Sequence, residues 1–259
     1  RKDLDAARKR LDEYEPLPNS SAEPREPAFR IHDSFEKPNE SLWELIGEDW
    51  QYRDGTLRRE TATRQPKMVR LRKKLPFNFD LRCKYTTTGG TTYKSVTFRF
   101  DQSADNQNAN YVYTSAHAPG PKVQAAYTRN GNNIYPSDGR KAFPVKVGTT
   151  YEIRIAVRET LVNVWIDDQF QFAYQFPNRQ DGFFSLSGFD ATVAFDEIEI
   201  TSLNPDVELQ SSGQAKPSSR KELEQAVDLA EAKWTAAESE LRAIQATIRA
   251  DNARFHGKG

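Results

Sequence analysis

The most constraining feature of this chain is an alternation of apolar and polar residues from Thr150 to Asp168, TYEIRIAVRETLVNVWIDD. Ile153, Ile155 and Val157 alternate with Arg154, Ala156 and Arg158. Beyond Glu159, Thr160 and Leu161 the pattern resumes, with Val162, Val164 and Ile166 set against Asn163, Trp165 and Asp167. A period of two sends successive side chains to opposite faces of an extended strand, so two such runs joined by a short turn predict an antiparallel hairpin with one buried face. The parity that buries the aliphatic set turns Arg154 and Trp165 away from the core. An indole on the outer face of a sheet is a first pointer to a binding surface.

The same alternation recurs on both sides of this hairpin. Phe29 to Phe35 opens a β-rich region, and Trp50 to Leu57 reads as a hairpin reversing at Asp54-Gly55, where glycine accepts a positive φ. Met68 to Lys74 follows. Phe77, Phe79, Leu81, Cys83 and Tyr85 then share one face, as do Val96, Phe98 and Phe100 against Thr97, Arg99 and Asp101. Tyr111 to Ser115 and Val123 to Arg129 read as strands, the latter ending at Asn130-Gly131, and Pro136 to Pro144 reads as irregular. Gln169 to Phe176, Gly182 to Phe189 and Thr192 to Thr201 complete the set, with an Asp190-Ala191 turn between the last two. With no helical pattern among these strands, the region predicts an all-β, two-sheet antiparallel sandwich over 29–203. About 175 residues suffice for a substantial core.

The two ends have a different character. Residues 1–15 place Leu4, Ala7, Leu11 and Tyr14 on one seam of a charged segment, and 16–28 is a proline-rich linker. Residues 204–219 read as a second linker. From 220 to 256, Leu223, Ala230, Ala237 and Ile244 recur every seventh position, interleaved with Val227, Trp234, Leu241, Ile248 and Phe255. The expectation is a sandwich inserted between the arms of an antiparallel α-helical coiled coil, with Trp234 on its seam. A chain opening at Arg1 inside a helical pattern reads as a piece of a larger protein.

Charge and composition narrow the function classes. With 37 Lys+Arg against 37 Asp+Glu there is no net field to draw the chain to nucleic acid or an anionic membrane, so partners must be met by local patches. No apolar run reaches the roughly 20 residues of a membrane helix. The mean hydropathy of −0.80 is low for one globule, and the polar excess sits at the two ends. Cys83 is the sole cysteine, which excludes disulfides and cysteine-based zinc sites, and His32, His117 and His256 are too few for a histidine metal site.

Phe35, Trp43, the run Gly47 to Leu57 (GEDWQYRDGTL), Val162 to Asp167 (VNVWID) and Phe195 to Ile200 (FDEIEI) together carry a family resemblance. In this order they resemble the concanavalin A-like, laminin-G-like jelly rolls of the 3-keto-disaccharide hydrolase-like group. That resemblance covers about 29–203 and implies a jelly roll, with Trp43 and Trp50 in packing roles; no catalytic signature of the group can be matched to residues here. The arms resemble those of large planctomycete multidomain proteins, where such a jelly roll stands beside cytochrome-like domains. This implies an extracytoplasmic setting, periplasmic or at the cell surface, with other domains of a parent protein as partners.

The candidate site follows from strand parity. Trp165 is a stacking platform for a sugar ring, unless a loop or the coiled coil covers it. Arg82, Lys84, Arg99 and Asp101 lie opposite the core-facing sets of their strands. If those strands are neighbours, they form a basic stripe able to grip hydroxyls, carboxylates or sulfates. Tyr111 and Tyr113 are either core or platform, and His117 is a candidate rim contact, against the plainer reading as a surface histidine without a role. Asp33 and Asp196 are candidate ligands for a structural calcium, against the plainer reading as turn formers; no cofactor is otherwise implied. Asp101, Glu159 and Asp167 are the carboxylates at hand for glycoside hydrolysis, but no spacing among them shows a facing pair. The reading is a non-catalytic carbohydrate-binding module of a larger extracytoplasmic protein, taking a polysaccharide, anionic ones included, on the concave sheet face. The alternatives are a glycoside hydrolase acting on (3-keto-)disaccharides and a protein–protein adhesion module.

Overall fold

The computed structural model of the protein describes residues 29–65 and 67–211, with Thr235, Glu238, Leu241, Arg242 and Gln245. The chain divides into two compact units, Pro24–Ala215 and Arg1–Glu23 with Lys216–Gly259. The first is built entirely from strands: β1 (Arg30–Asp33), β2 (Trp43–Ile46), β3 (Trp50–Arg53), β4 (Thr56–Arg59), β5 (Met68–Leu71), β6 (Phe79–Gln102), β7 (Ala109–Ser115), β8 (Lys122–Arg129), β9 (Asn132–Ile134), β10 (Arg140–Ala142), β11 (Thr150–Arg158), β12 (Leu161–Ile166), β13 (Gln169–Gln175) and β14 (Phe183–Ser202).

Two long strands organise the rest. β6 and β14 pair antiparallel along nearly their whole length, from Phe79 opposite Ser202 to Gln102 opposite Phe183, and this ribbon folds over on itself. Phe79 meets Phe100 with ring centroids 5.4 Å apart, and Tyr85 meets Phe98 at 5.4 Å. The two ends of one strand therefore face each other across the core. The first half of β6 joins β11, β12 and β13 on one side and the second half of β14 with β1 on the other, making the first sheet. The second half of β6 joins β7, β8 and β10, and the first half of β14 joins β5 and β2, making the second. The β3–β4 hairpin pairs with β14 at Val193 to Phe195.

The inward-facing sets predicted from parity form one core, including Leu81, Ile153, Ile155, Val162, Val164, Phe184, Leu186, Ile198 and Ile200, together with Trp43 and Trp50. Each such side chain contributes on the order of 1.5–3 kcal/mol by leaving water. The hairpin that opened the sequence reading is present as β11–β12, with Ile153 opposite Ile166 and Arg154 opposite Trp165. Its turn residue Glu159 has left-handed backbone, with a φ of 51°.

The bend in the ribbon lies at TTTGGTTYK, residues 86–94. Gly90 has a φ of 136°, and a Cβ there would stand 2.2 Å from the Asp190 carbonyl oxygen. Asp190 also has a positive φ, and its buried carboxylate accepts the amide hydrogens of Thr92 (2.7 Å) and Tyr93 (2.9 Å) and the Thr91 hydroxyl. Burial pulls this carboxyl upward, but those hydrogen bonds outweigh it and hold the pKa below the ordinary carboxylate value.

The coiled-coil expectation is corrected. No helical element occurs among the described residues, which beyond Ser211 hold only five residues of helical backbone, no more than two of them consecutive. Leu241, which the heptads place on the seam, is 54% exposed, whereas a seam position must be buried against a partner helix. A seven-residue repeat sets out an apolar stripe but does not supply what covers it. The proposed helix over 1–15 and Trp234 lie outside the described residues. None of the described helical residues belongs to a helix long and apolar enough to cross a membrane.

Candidate functional site

The sandwich has two outer faces that differ in how their cations are paired. On the first sheet, one cross-strand row runs His32, Glu199, Arg82, Arg154, Trp165, Phe170. Arg30 pairs with Glu199 at 2.9 Å, Glu197 holds both His32 (2.9 Å) and Lys84 (2.7 Å), Arg82 pairs with Glu152 at 2.8 Å, and Arg154 with Asp80 at 2.5 Å. Trp165 is half-buried, with the Arg154 guanidinium 4.6 Å from its ring centroid and the Phe170 ring set edge-on at 5.5 Å. Its indole is thus already occupied on one side by a cation that is itself neutralised.

On the second sheet the corresponding row runs Glu44, Arg70, Ser185, Arg99, Tyr111, Ala126, and beside it runs Met68, Ser187, Thr97, Tyr113, Gln124, Arg140. Tyr111, Tyr113 and Ala126 form a small apolar cluster separate from the main core, which answers the open question about the two tyrosines. They are the floor of the outer face. The Tyr113 hydroxyl donates to Gln124 Oε1 at 2.7 Å, and Gln124 Nε2 donates to the Pro136 carbonyl at 2.9 Å. Tyr111 donates to Asn133 Oδ1 at 3.3 Å. Tyr135 sets its ring edge-on to Tyr113 at 6.1 Å and is 56% exposed. Burial, reinforced by Tyr135, pushes the Tyr111 phenol well up, so both floor tyrosines stay neutral donors at any physiological pH.

Arg99 lies over the Tyr111 ring at 5.1 Å, and Lys122 stands 6.0 Å from the Tyr113 centroid. Among the described residues Arg99 has neither an ion pair nor a hydrogen bond, and its Nε is buried without a partner. Desolvation lowers its pKa, though from so high a value that it remains a cation. Arg70 keeps a buried, unpartnered Nε while its terminal nitrogens lie 3.9 Å from Glu44 and 3.4 Å from Asn106.

The single basic stripe expected from parity is therefore corrected. Arg82 and Lys84 share a strand with Arg99, but the bend at 86–94 carries Arg99 into the other sheet, so the first two and the third lie on opposite sides of the sandwich. Trp165 goes with Arg82, and Tyr111 and Tyr113 go with Arg99. Asp101 leaves the stripe altogether: its φ of 54° breaks the alternation, and it is buried in an ion pair with Arg179, with Asn110 donating at 2.7 Å. Burial raises this carboxyl against the pull of Arg179 and Asn110. Arg179 also donates to the carbonyls of Glu159 (2.7 Å) and Phe77 (3.0 Å), so this pair, at one wall of a cleft of roughly 180 Å³, is a structural tie. His117 packs on Tyr93 at 5.4 Å, with Nδ1 3.0 Å from the Thr92 carbonyl, beside the bend.

The two calcium candidates have other surroundings. Asp33 accepts hydrogen bonds from the Phe35 amide (2.8 Å), Asn39 (3.3 Å) and the Trp43 indole (2.9 Å). Asp196 keeps one buried oxygen without a partner, and burial raises its pKa. Among the described residues no three His, Cys, Asp or Glu side chains group as metal ligands. Sequence reasoning passed over Arg70, although Val69 and Leu71 in the core place it outward by the same parity. Tyr135, in a stretch without alternation, gave no such signal.

Several solved structures share this architecture. A carbohydrate-binding module, CBM66 from Bacillus subtilis, is 16% identical, with 62% of this chain and 95% of that one covered at a TM-score of 0.54. A Bacillus licheniformis β-glucanase is 9% identical, covering 66% and 97% at a TM-score of 0.55. A prokaryotic β-1,3-1,4-glucanase (lichenase) derived from a mouse hindgut metagenome is 10% identical, covering 67% and 99% at 0.53. At such identities the likeness is one of fold, the concanavalin A-like jelly roll. No curated protein sequence matches the chain. The model of the 3-keto-alpha-glucoside-1,2-lyase-like domain matches residues 32–201, more than half of the chain and nearly all of the sandwich, and the chain belongs to that family.

Proposed function

We propose that this protein is a non-catalytic carbohydrate-binding module whose ligand lies on the outer face of the second sheet. The observation that carries this reading is the row Arg70, Ser185, Arg99, Tyr111, in which the Arg99 guanidinium has no hydrogen bond among the described residues and lies near an exposed Tyr135. A pyranose packs its C–H face on an aromatic ring, and its hydroxyls accept from guanidinium and tyrosine donors, so an aromatic beside convergent donors suits a glycan. The first sheet offers less, because its cations already have carboxylates and its indole already carries Arg154. A polysaccharide ligand places the module outside the cytoplasm, where other domains of a parent protein would act on or anchor to the same polymer.

The family description names a lyase, and catalysis on this face is the second reading. General acid–base chemistry would call for a free titratable group beside the sugar. The carboxylate in the row, Glu44, is instead 3.9 Å from Arg70. The test is affinity electrophoresis of the purified protein through gels containing a panel of polysaccharides. Tyr135→Ala should lower affinity about fivefold, as expected for the loss of roughly 1 kcal/mol of ring stacking, with an unchanged melting temperature. Full retention of Tyr135→Ala on every gel that retards the parent protein would remove this face from the reading. Cleavage of any glycoside above the blank would put catalysis in its place.

A further inference from the structure

We infer that the ligand of the second-sheet face is an acidic polysaccharide, whose carboxylate or sulfate groups are taken up by Arg99 together with Arg70, Lys122 and Arg140. This rests on the glycan reading above and narrows it to an anionic sugar.

The argument is one of charge compensation. The chain as a whole is balanced, with 37 basic and 37 acidic residues. On the first sheet that balance is local: Arg30, His32, Lys84, Arg82 and Arg154 each have a carboxylate within 2.9 Å. On the second sheet it fails. Among the described residues Arg99, Lys122 and Arg140 have no ion pair, and Arg70 alone of the four is paired, to Glu44 at 3.9 Å. The four are brought together by the fold. Arg70 and Arg99 flank Ser185 across adjacent strands, Lys122 leans over Tyr113, and Arg140 pairs with Gln124, whose amide holds the Tyr113 hydroxyl.

A solvated surface cation needs no partner, but Arg99 is not solvated in that way. It is largely buried against Tyr111, and its Nε is cut off from water without a hydrogen bond. A desolvated cation without a counter-charge is unfavourable in the free protein, and an arriving anion relieves it. The planar guanidinium matches a carboxylate or a sulfate in a forked pair. A neutral sugar would leave the charge uncompensated. The floor tyrosines, held neutral, add no negative charge that would repel the anion.

The test uses the whole chain and three probes: polygalacturonate for carboxylate, dextran sulfate for sulfate, and dextran as the neutral control. Binding is measured by isothermal titration calorimetry at low and raised ionic strength. The expected result is binding to one or both acidic polymers and none to dextran, weakening as salt rises because the charges are screened. Arg99→Gln should weaken it by about tenfold or more, as for a lost charge-assisted pair. Arg82→Gln, on the opposite face, should leave it unchanged; equal losses in both variants would mean diffuse attraction and would overturn the assignment. Binding to dextran as tight as to the acidic polymers, and indifferent to Arg99→Gln, would overturn the acidic ligand while leaving the glycan reading standing. Failure to bind any of the three, or any other polysaccharide on the panel, would overturn both.

Discussion

At the scale of single residues, hydrogen bonding separates side chains that hold the fold from those free to meet a ligand. Asp33 is of the first kind. Replacing it with alanine leaves the Trp43 indole and the Phe35 amide without their acceptor, at a cost of about 1–3 kcal/mol for buried donors left unmade. Asp33→Ala should therefore lower the melting temperature by several degrees, read by calorimetry, while glycan retention persists. Arg99 is of the second kind, since its removal takes away no hydrogen bond or ion pair of the described residues. Parity pointed to Arg99 from sequence because Val96, Phe98 and Phe100 fix the inward side of its strand. It misjudged Asp101, two residues on, because a positive φ at that residue reverses where the side chain goes. Tyr135 was invisible to the same rule, lying outside any alternating run.

At the scale of elements, short hairpins were legible and the long ribbon was not. β11–β12 and β3–β4 carry their own turn and their own alternation, so each can be read from under twenty consecutive residues. The stretch 86–94, polar and with two glycines, looks like a loop between two separate strands. What keeps it extended is pairing with β14 about a hundred residues away, and no local pattern records that. Likewise the turn expected at Asp190 is a bulge inside one continuous strand. Asp190 ties this bend, and its depressed pKa gives the sign of a pH effect. A carboxyl with a lower pKa in the folded state stabilises fully above its unfolded value and loses that contribution as pH falls through the folded one. Asp190→Asn should therefore be less stable than the parent near neutral pH, and the gap in urea midpoint should hold down to the ordinary carboxylate pKa of about 4 and narrow as pH falls further below it. A gap that stays constant over this range would mean that the carboxylate charge has no part in holding the bend.

At the scale of the whole sandwich, the two sheets are strung on the same pair of strands, so neither has a separate folding unit. Amides of β7 and β12, on different sheets, should exchange hydrogen with the same opening free energy; a clear separation of the two would show that the layers open independently. The ribbon also explains why Arg82 and Arg99, close in sequence, serve different surfaces. One last arrangement bears on how the sandwich would behave under tension. Arg30 of β1 sits opposite Thr201 of β14, so the polypeptide enters and leaves the sandwich at neighbouring rungs of one antiparallel ladder. A load drawn through those two exits would open that ladder a rung at a time, like a zip, instead of shearing all its hydrogen bonds together. The first strand would then peel away at low force, acting as a mechanical fuse while the second sheet stayed intact.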